Sequence, residues 1–322
     1  LFYIKELSAE ITNVCEGAMA RMDVEAARGP SAYTALGLRA EADPIAPGLH
    51  VVATPIGNLR DITLRALSTL AAAEAVVAED TRVTRTLLAH YGVATPLIAY
   101  HEHNAAVMRP HLLARLAAGA ALALVSDAGT PLVSDPGYRL VAEALAAGVA
   151  VTSVPGPSAV LAALTVAGLP TDRFYFEGFL PPKSAARRVR INALAAIPST
   201  LIFFESPRRL GETLADLAAE LGPRPAAVAR ELTKLYETIR RGRLDQMAAE
   251  FAAEPPPKGE IVVLVGPPEE AAPVAAEEID RMLSEALETL SVKDAAAAVS
   301  ARTRAPRRQI YARALALAGA RR

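Results

Sequence analysis

From Leu49 onward, short apolar runs alternate with helical patterns, and each run ends in a cluster of Pro, Gly, Ser, Thr or Asp. This alternation limits the fold more than any other feature of the chain. Apolar runs with no polar face fit strands buried on both sides, the habit of a parallel sheet covered by helices. We place such strands at residues 49–53, 75–78, 96–100, 120–125 and 150–154. Helices are expected over 63–73, through 87–88, and over 111–118, 138–147 and 159–167, with Leu64, Leu67 and Leu70 sharing a face of the first. Ser158 stands where it would cap the last of them. The punctuating residues fall just beyond the strands' C-terminal ends, where open α/β sheets bind ligands.

A second α/β unit is expected from strands at 174–176, 201–204, 226–229 and 261–265 and a helix over 209–221. Segments 292–300 and 306–317, joined by a brief polar turn, suggest a helix-turn-helix. The expected organisation is therefore an α/β domain over 49–168, a second over 169–267, and a linker with a basic helical segment over 268–322. Residues 1–48, with four basic and seven acidic side chains and no sustained periodicity, read as a poorly ordered N-terminal extension. The chain begins at Leu1, so an upstream extension or fragment boundary is expected, with Met19 or Met22 as a natural start.

Composition excludes several classes. Apolar residues at 52% fill two cores while 21% charged residues keep the surface wet, unlike a disordered chain or a small disulfide scaffold. A net charge of −1 confines any nucleic-acid surface to a local patch. One cysteine, Cys15, allows neither an internal disulfide nor a Cys-based zinc site, which fits a reducing compartment. No apolar run approaches the ~18 residues that span a bilayer, and no signal peptide is visible. The expectation is a soluble, cytoplasmic protein without membrane contact.

The loop at 54–59 occupies the first strand-to-helix turn, where nucleotide fingerprints lie. It has one Gly and a Pro in place of G-x-G-x-x-G, and no G-x-x-x-x-G-K-[ST] follows elsewhere. A pyrophosphate is poorly served there. An adenosine bearing a cationic sulfonium needs only carbonyl oxygens and apolar walls. In the loop at 126–131, Asp127 places an acceptor at a strand end, Gly129 permits close backbone approach and Pro131 stiffens the exit. His101 and His103 share a strand face but lack a third ligand at metal spacing, so no metal is expected. Lys183, Arg187, Arg188 and Arg190 form a basic run, and residues 301–322 hold seven arginines and no acid. Each is either a solvated helix face or a phosphate-binding stripe. No G-x-S-x-G elbow supports hydrolase chemistry.

Taken in order, TPIGNLRDIT (54–63), AEDTR (78–82), SDAGTPLVSDPG (126–137), PGPSA (155–159), GLPTDRFYFEGFLP (168–181), FFESPRR (203–209), ARELTKLYETI (229–239) and KGE (258–260) resemble the tetrapyrrole methylase superfamily. The first loop is similar to that of its ribosomal branch, whereas corrin and haem-pathway relatives usually carry more glycine there. The resemblance implies two α/β domains of the class III methyltransferase type with a cleft between them, plus a small C-terminal helical segment. It further implies S-adenosylmethionine as methyl donor, a homodimer, and 16S rRNA of the small ribosomal subunit as substrate. The reaction it implies is 2′-O-methylation of a cytidine in the decoding region, position 1402 in the family.

Carried over by motif, the donor pocket would use Pro55, Asp127, Ala128, Gly129, Thr130, Pro155 and Ser158 from the first domain. Phe204, Glu205, Ala229, Arg230, Lys258 and Gly259 would come from the second. Asp80 is the candidate base, with Arg82 steering phosphate, while Glu205 and Glu231 compete for that role or serve Arg208 and Arg230 as structural partners. Lys183, Arg187, Arg188, Arg190, Arg302, Arg304, Arg307 and Arg308 are the candidate RNA contacts. A corrinoid-pathway C-methyltransferase, a nicotinamide oxidoreductase and a non-catalytic RNA-binding module remain as rivals.

Overall fold

Leu36 (φ 53°) and Gly37 (φ 78°) supply the two positive-φ positions of a tight hairpin turn. They join β1 (Ala32–Ala35) to β2 (Leu38–Glu41). The computed structural model describes residues 31–269, 275–303 and 305–320, so the first thirty residues of the expected extension lie outside the described part. The hairpin itself differs from that expectation. Tyr33 and Ala35 pack on the neighbouring core, and Thr34 N donates to Tyr91 O at 2.7 Å. Two four-residue strands with no fully buried position leave too little periodicity to be seen in sequence.

The described residues fall into two units, one ending at Gly266 and the other starting at Pro267. In the first, β3 (Gly48–Val52), β4 (Ala75–Ala78), β5 (Leu97–Ala99), β6 (Ala121–Val125) and β7 (Val151–Val154) pair in parallel, in the order β5-β4-β6-β3-β7. The helices between them are α1 (Leu64–Ala72), α2 (Thr81–His90), α3 (Ala105–Ala117) and α4 (Tyr138–Ala146). Alternating side chains divide the sheet between two cores. Ala123 and Val125 of β6 join Leu67, Leu70 and Leu88 on one face. Leu122 and Leu124 join Leu112, Leu116 and Leu140 on the other. Thr63 caps α1, its hydroxyl accepting from Ala66 N at 3.0 Å.

A second, mixed sheet follows from β8 (Phe174–Phe179), β9 (Thr200–Glu205), β10 (Pro225–Arg230), β11 (Thr238–Arg243) and β12 (Ile261–Val265), in the order β11-β10-β12-β9-β8. Only β8 and β9 are parallel. One face carries α6 (Ser184–Leu194), α7 (Leu210–Leu221) and α8 (Leu244–Ala253) over Leu201, Phe203, Val228 and Val263. The opposite face receives α5 (Ala159–Ala167), whose Val160, Ala163 and Leu164 pack on Ile202, Ala229 and Val262. This helix follows β7 directly, yet its apolar face belongs to the second sheet's core. Ile56 of the first strand-to-helix loop reaches the same cluster. The two domains thereby meet at the C-terminal end of the first sheet.

The second unit has its own core of Ile279, Leu283, Ala296, Val299, Ile310 and Ala314. These come from α9 (Ala276–Ala286), α10 (Val292–Thr303) and α11 (Arg307–Ala320). Ser291 and Asp294 start α10, with Asp294 N donating to the Ser291 hydroxyl at 3.3 Å. No helix among the described residues is long and apolar enough to cross a membrane.

Candidate active site

Thr54 and Gly129 exchange backbone hydrogen bonds of 2.9 and 3.0 Å, which locks the loop after β3 against the loop after β6. Gly129 has φ 77°, and a Cβ there would stand 3.2 Å from Ile56 Cγ2. Thr130 Oγ1 donates to Pro157 O at 3.1 Å, adding the loop after β7. Across from these, Gly259 (φ 99°) precedes β12 with Glu231 laid over it. A Cβ at Gly259 would stand 2.3 Å from Glu231 Cδ. Glu231 is itself held by Glu260 N at 2.9 Å and by Lys234 Nζ at 2.8 Å.

These loops surround one cavity of about 380 Å³, within the range of small-molecule sites. Of the pocket residues expected from sequence, Ala128, Gly129, Thr130, Ser158, Phe204, Glu205, Ala229 and Gly259 line it. Five do not. Pro55 is buried beneath the loop and Pro155 points to solvent. Asp127 accepts Asp80 N at 2.9 Å. The Arg230 guanidinium donates to the carbonyls of Lys258 and Tyr236 at 2.9 and 3.0 Å, bracing the rim rather than the wall. Lys258 contributes that carbonyl and turns its side chain outward. Ser158 occupies the N-cap position of α5 but makes no side-chain capping bond, contrary to its expected role.

Sequence reasoning missed Ile56, Val133, Asp135, Phe179, Leu232 and Glu260 on the wall. Ile56, Val133, Asp135, Phe179, Leu232 and Glu260 all lie inside the stretches that carry the resemblance, so the signal was present. What was lacking was side-chain direction.

Charge distinguishes the cavity. Its lining residues include Asp135, Glu205 and Glu260 but no Lys, Arg or His. Glu205 is 3% exposed and fully engaged, with Ser206 N at 2.7 Å, Thr213 Oγ1 at 2.6 Å and Arg209 Nη2 at 3.3 Å. Its structural partners are thus Thr213 and Arg209, in place of Arg208 or Arg230.

The candidate base Asp80 lies outside the wall. It caps α2, accepting Arg82 N at 2.8 Å, and pairs with the Arg82 guanidinium at 2.6 Å. That pairing lowers its carboxyl to about 2. A group so acidic is a weak proton acceptor near neutral pH, which argues against Asp80 as the base. Glu231 is likewise lowered, first by its bond from Lys234. Conversely, burial raises Glu79, helped by the charges of Asp127, Asp135 and Asp80. Burial also raises Asp135, opposed by a bond from Ser126 and reinforced by Asp127.

Three arginines of the basic run after β8 make ion pairs within the domain. Arg187 is 1% exposed, with Nε donating to Asp216 at 2.7 Å, so it has no access to a phosphate. Arg188 pairs with Glu220 at 2.7 Å and Arg190 with Glu177 at 2.6 Å, while Lys183 stands exposed at the N-cap of α6. Arg302, Arg307 and Arg308 are exposed in the second unit, and Arg304 lies outside the described residues.

The family model described as Tetrapyrrole (Corrin/Porphyrin) Methylases matches residues 48–248, and that of the RsmI C-terminal HTH domain matches 273–318. The chain is 54% identical over 277 residues to Ribosomal RNA small subunit methyltransferase I of Mesorhizobium japonicum, covering 86% of this chain and 94% of that one. The protein of the same name from Pseudomonas aeruginosa is 48% identical over 272 residues, covering 83% and 96%. Among solved structures, diphthine synthase aligns with a TM-score of 0.53 at 18% identity over 68% of this chain and 89% of that one. The methyltransferase CobJ aligns at 0.52 and 23% identity over 68% and 94%. At these identities the structural likeness concerns the fold alone.

Proposed function

Because the chain belongs to the tetrapyrrole (corrin/porphyrin) methylase family and is a methyltransferase, we propose that it moves a methyl group from S-adenosylmethionine to the 2′-oxygen of a cytidine in 16S rRNA. The observation that carries this reading is a cavity wall that bears three carboxyl groups and no Lys, Arg or His side chain, which suits a sulfonium better than a pyrophosphate. The relatives named as small-subunit methyltransferases support ribosomal RNA as the acceptor. The working protein in this reading is a cytoplasmic homodimer that meets its RNA within the small subunit.

The donor supplies a methyl already activated on sulfur, so the protein's task is alignment and exclusion of water. Oriented reactants gain ~7–11 kcal/mol of barrier over free encounter. Gly129 and Gly259 leave room for Ile56 and Glu231 to pack against their loops, and Ile56, Phe204 and Leu232 furnish apolar surface for an adenosine. Ala128, Thr130 and Ser158 offer carbonyl and hydroxyl groups on the same wall, with Glu205 and Ala229 completing the far side. Pro55, Asp127, Pro155, Arg230 and Lys258 act behind this wall by fixing the loops.

The test is to incubate small subunits from a strain lacking the enzyme with the protein and methyl-labelled S-adenosylmethionine, then to map ribose methylation along 16S rRNA. A single labelled cytidine ribose supports the reading. Label confined to a base, or transferred to a precorrin and not to RNA, overturns it.

A further inference from the structure

Methyl transfer to a ribose hydroxyl releases a proton, and the cavity wall limits what can receive it. Among the lining residues the only ionisable side chains are Asp135, Glu205 and Glu260. Both Glu205 oxygens are occupied by Ser206 N, Thr213 and Arg209. Glu260 is mostly exposed and pairs with Lys234 at 3.1 Å. Asp135 has no ion pair among the described residues.

Building on the ribose-methylation reading above, we propose that Asp135 is the proton acceptor for the attacking 2′-hydroxyl. In the step, the 2′-oxygen lone pair forms the O–C bond as the C–S bond breaks, its electrons staying on sulfur as a neutral thioether. The hydroxyl proton passes to an Asp135 carboxylate oxygen, which later returns it to water. Charge balances: a sulfonium and a carboxylate become a thioether and a carboxylic acid.

The loop carrying Asp135 is built to hold it. Leu132 (φ 75°) and Ser134 (φ 65°) adopt left-handed backbone that non-glycine residues rarely keep. Such conformations persist only where surroundings impose them. Leu132 packs so closely on Gly137 that a Cβ there would stand 2.7 Å from Leu132 Cδ2. Ser134 Oγ lies 3.0 Å from the Cβ position of Gly178, at the bulge in β8 of the second domain. The loop is thereby gripped from both domains, with Val133 and Asp135 on the cavity wall.

The groups around Asp135 suit the task. Glu79 ends β4, Asp127 shares the loop, and the Asp80–Arg82 pair opens α2, while Glu205 and Glu260 lie elsewhere on the cavity wall. Burial, opposed by a bond from Ser126 and reinforced by the Asp127 charge, raises the Asp135 carboxyl. A carboxylate whose affinity for a proton is raised is the better acceptor.

The experiment compares the full-length protein with Asp135→Asn and Asp135→Glu in single-turnover transfer to unmodified small subunits across pH. S-adenosylhomocysteine binding by calorimetry and thermal unfolding are followed in parallel. Asp135→Asn is expected to slow transfer by about 10²–10⁴-fold, far beyond any change in S-adenosylhomocysteine affinity, with unfolding temperature unchanged. The parent rate falls as pH drops below the raised Asp135 value, because only the carboxylate accepts a proton. That acid limb disappears in Asp135→Asn and returns, with part of the rate, in Asp135→Glu. An active parent whose Asp135→Asn variant keeps its rate, or loses S-adenosylhomocysteine affinity in step with rate, overturns the proposal alone. A parent that leaves every 16S ribose unlabelled overturns the underlying reading as well.

Discussion

Arg187 is the largest fully buried side chain among the described residues, and its guanidinium sits between Asp216 at 2.7 Å and Glu212 at 3.6 Å. Removing it leaves the Asp216 carboxylate enclosed without a counter-charge. Arg187→Ala should therefore cost about 3–5 kcal/mol of stability, read as a lowered urea midpoint. The fraction still folded should bind small subunits with parental affinity, since this side chain faces no ligand. Asp80 offers a second residue-scale test. Its carboxyl is lowered to about 2 by Arg82, so the favourable pairing is complete above the ordinary carboxylate range and fades as pH falls towards 2. An NMR titration should find Asp80 near that value in the parent and part of the way back to the ordinary range in Arg82→Ala, which keeps the backbone bond from residue 82.

At the scale of elements, the rim loop before β12 is the most sensitive part of the site. Gly259→Ala puts a methyl group where Glu231 lies and forces an L-residue to φ 99°. Displacing Glu231 also breaks its bonds with Glu260 N and Lys234. A backbone penalty of ~1–3 kcal/mol predicts a roughly 10–100-fold weaker S-adenosylhomocysteine affinity by calorimetry. The central strands were legible in sequence because β4 and β12 are apolar along their whole length and buried on both faces. Strand β11, sequence TIRRGR, was not, since it is an exposed edge strand whose partner sees only its backbone. Edge strands are often charged, which hides them from any search for apolar runs. Helix α5 was found at its observed bounds, but no local pattern says that it packs on the second sheet. The pocket loops were legible as loops. Which side chain of each faces inward was not, because Asp127 and Asp135 differ only through backbone turns that composition does not encode.

For the whole molecule, the two units each have a separate apolar core. In the second, acids gather on α9, with Arg313 taken up by Asp280 at 2.6 Å, and exposed Arg302, Arg307 and Arg308 flank the turn between α10 and α11. Arg307→Ala with Arg308→Ala should weaken small-subunit binding and flatten the log–log salt dependence by roughly one to two units. Donor-site affinity should not change. An unaltered salt slope would remove this unit from the RNA interface. The cavity's lack of basic side chains has a kinetic corollary. A charged ligand and its neutral remnant differ by one formal charge at sulfur, so an anionic wall discriminates between them without any change of shape. In the proposed reaction, each turnover would weaken the attraction between the Asp135 carboxylate and the ligand's sulfur, which favours release of the by-product.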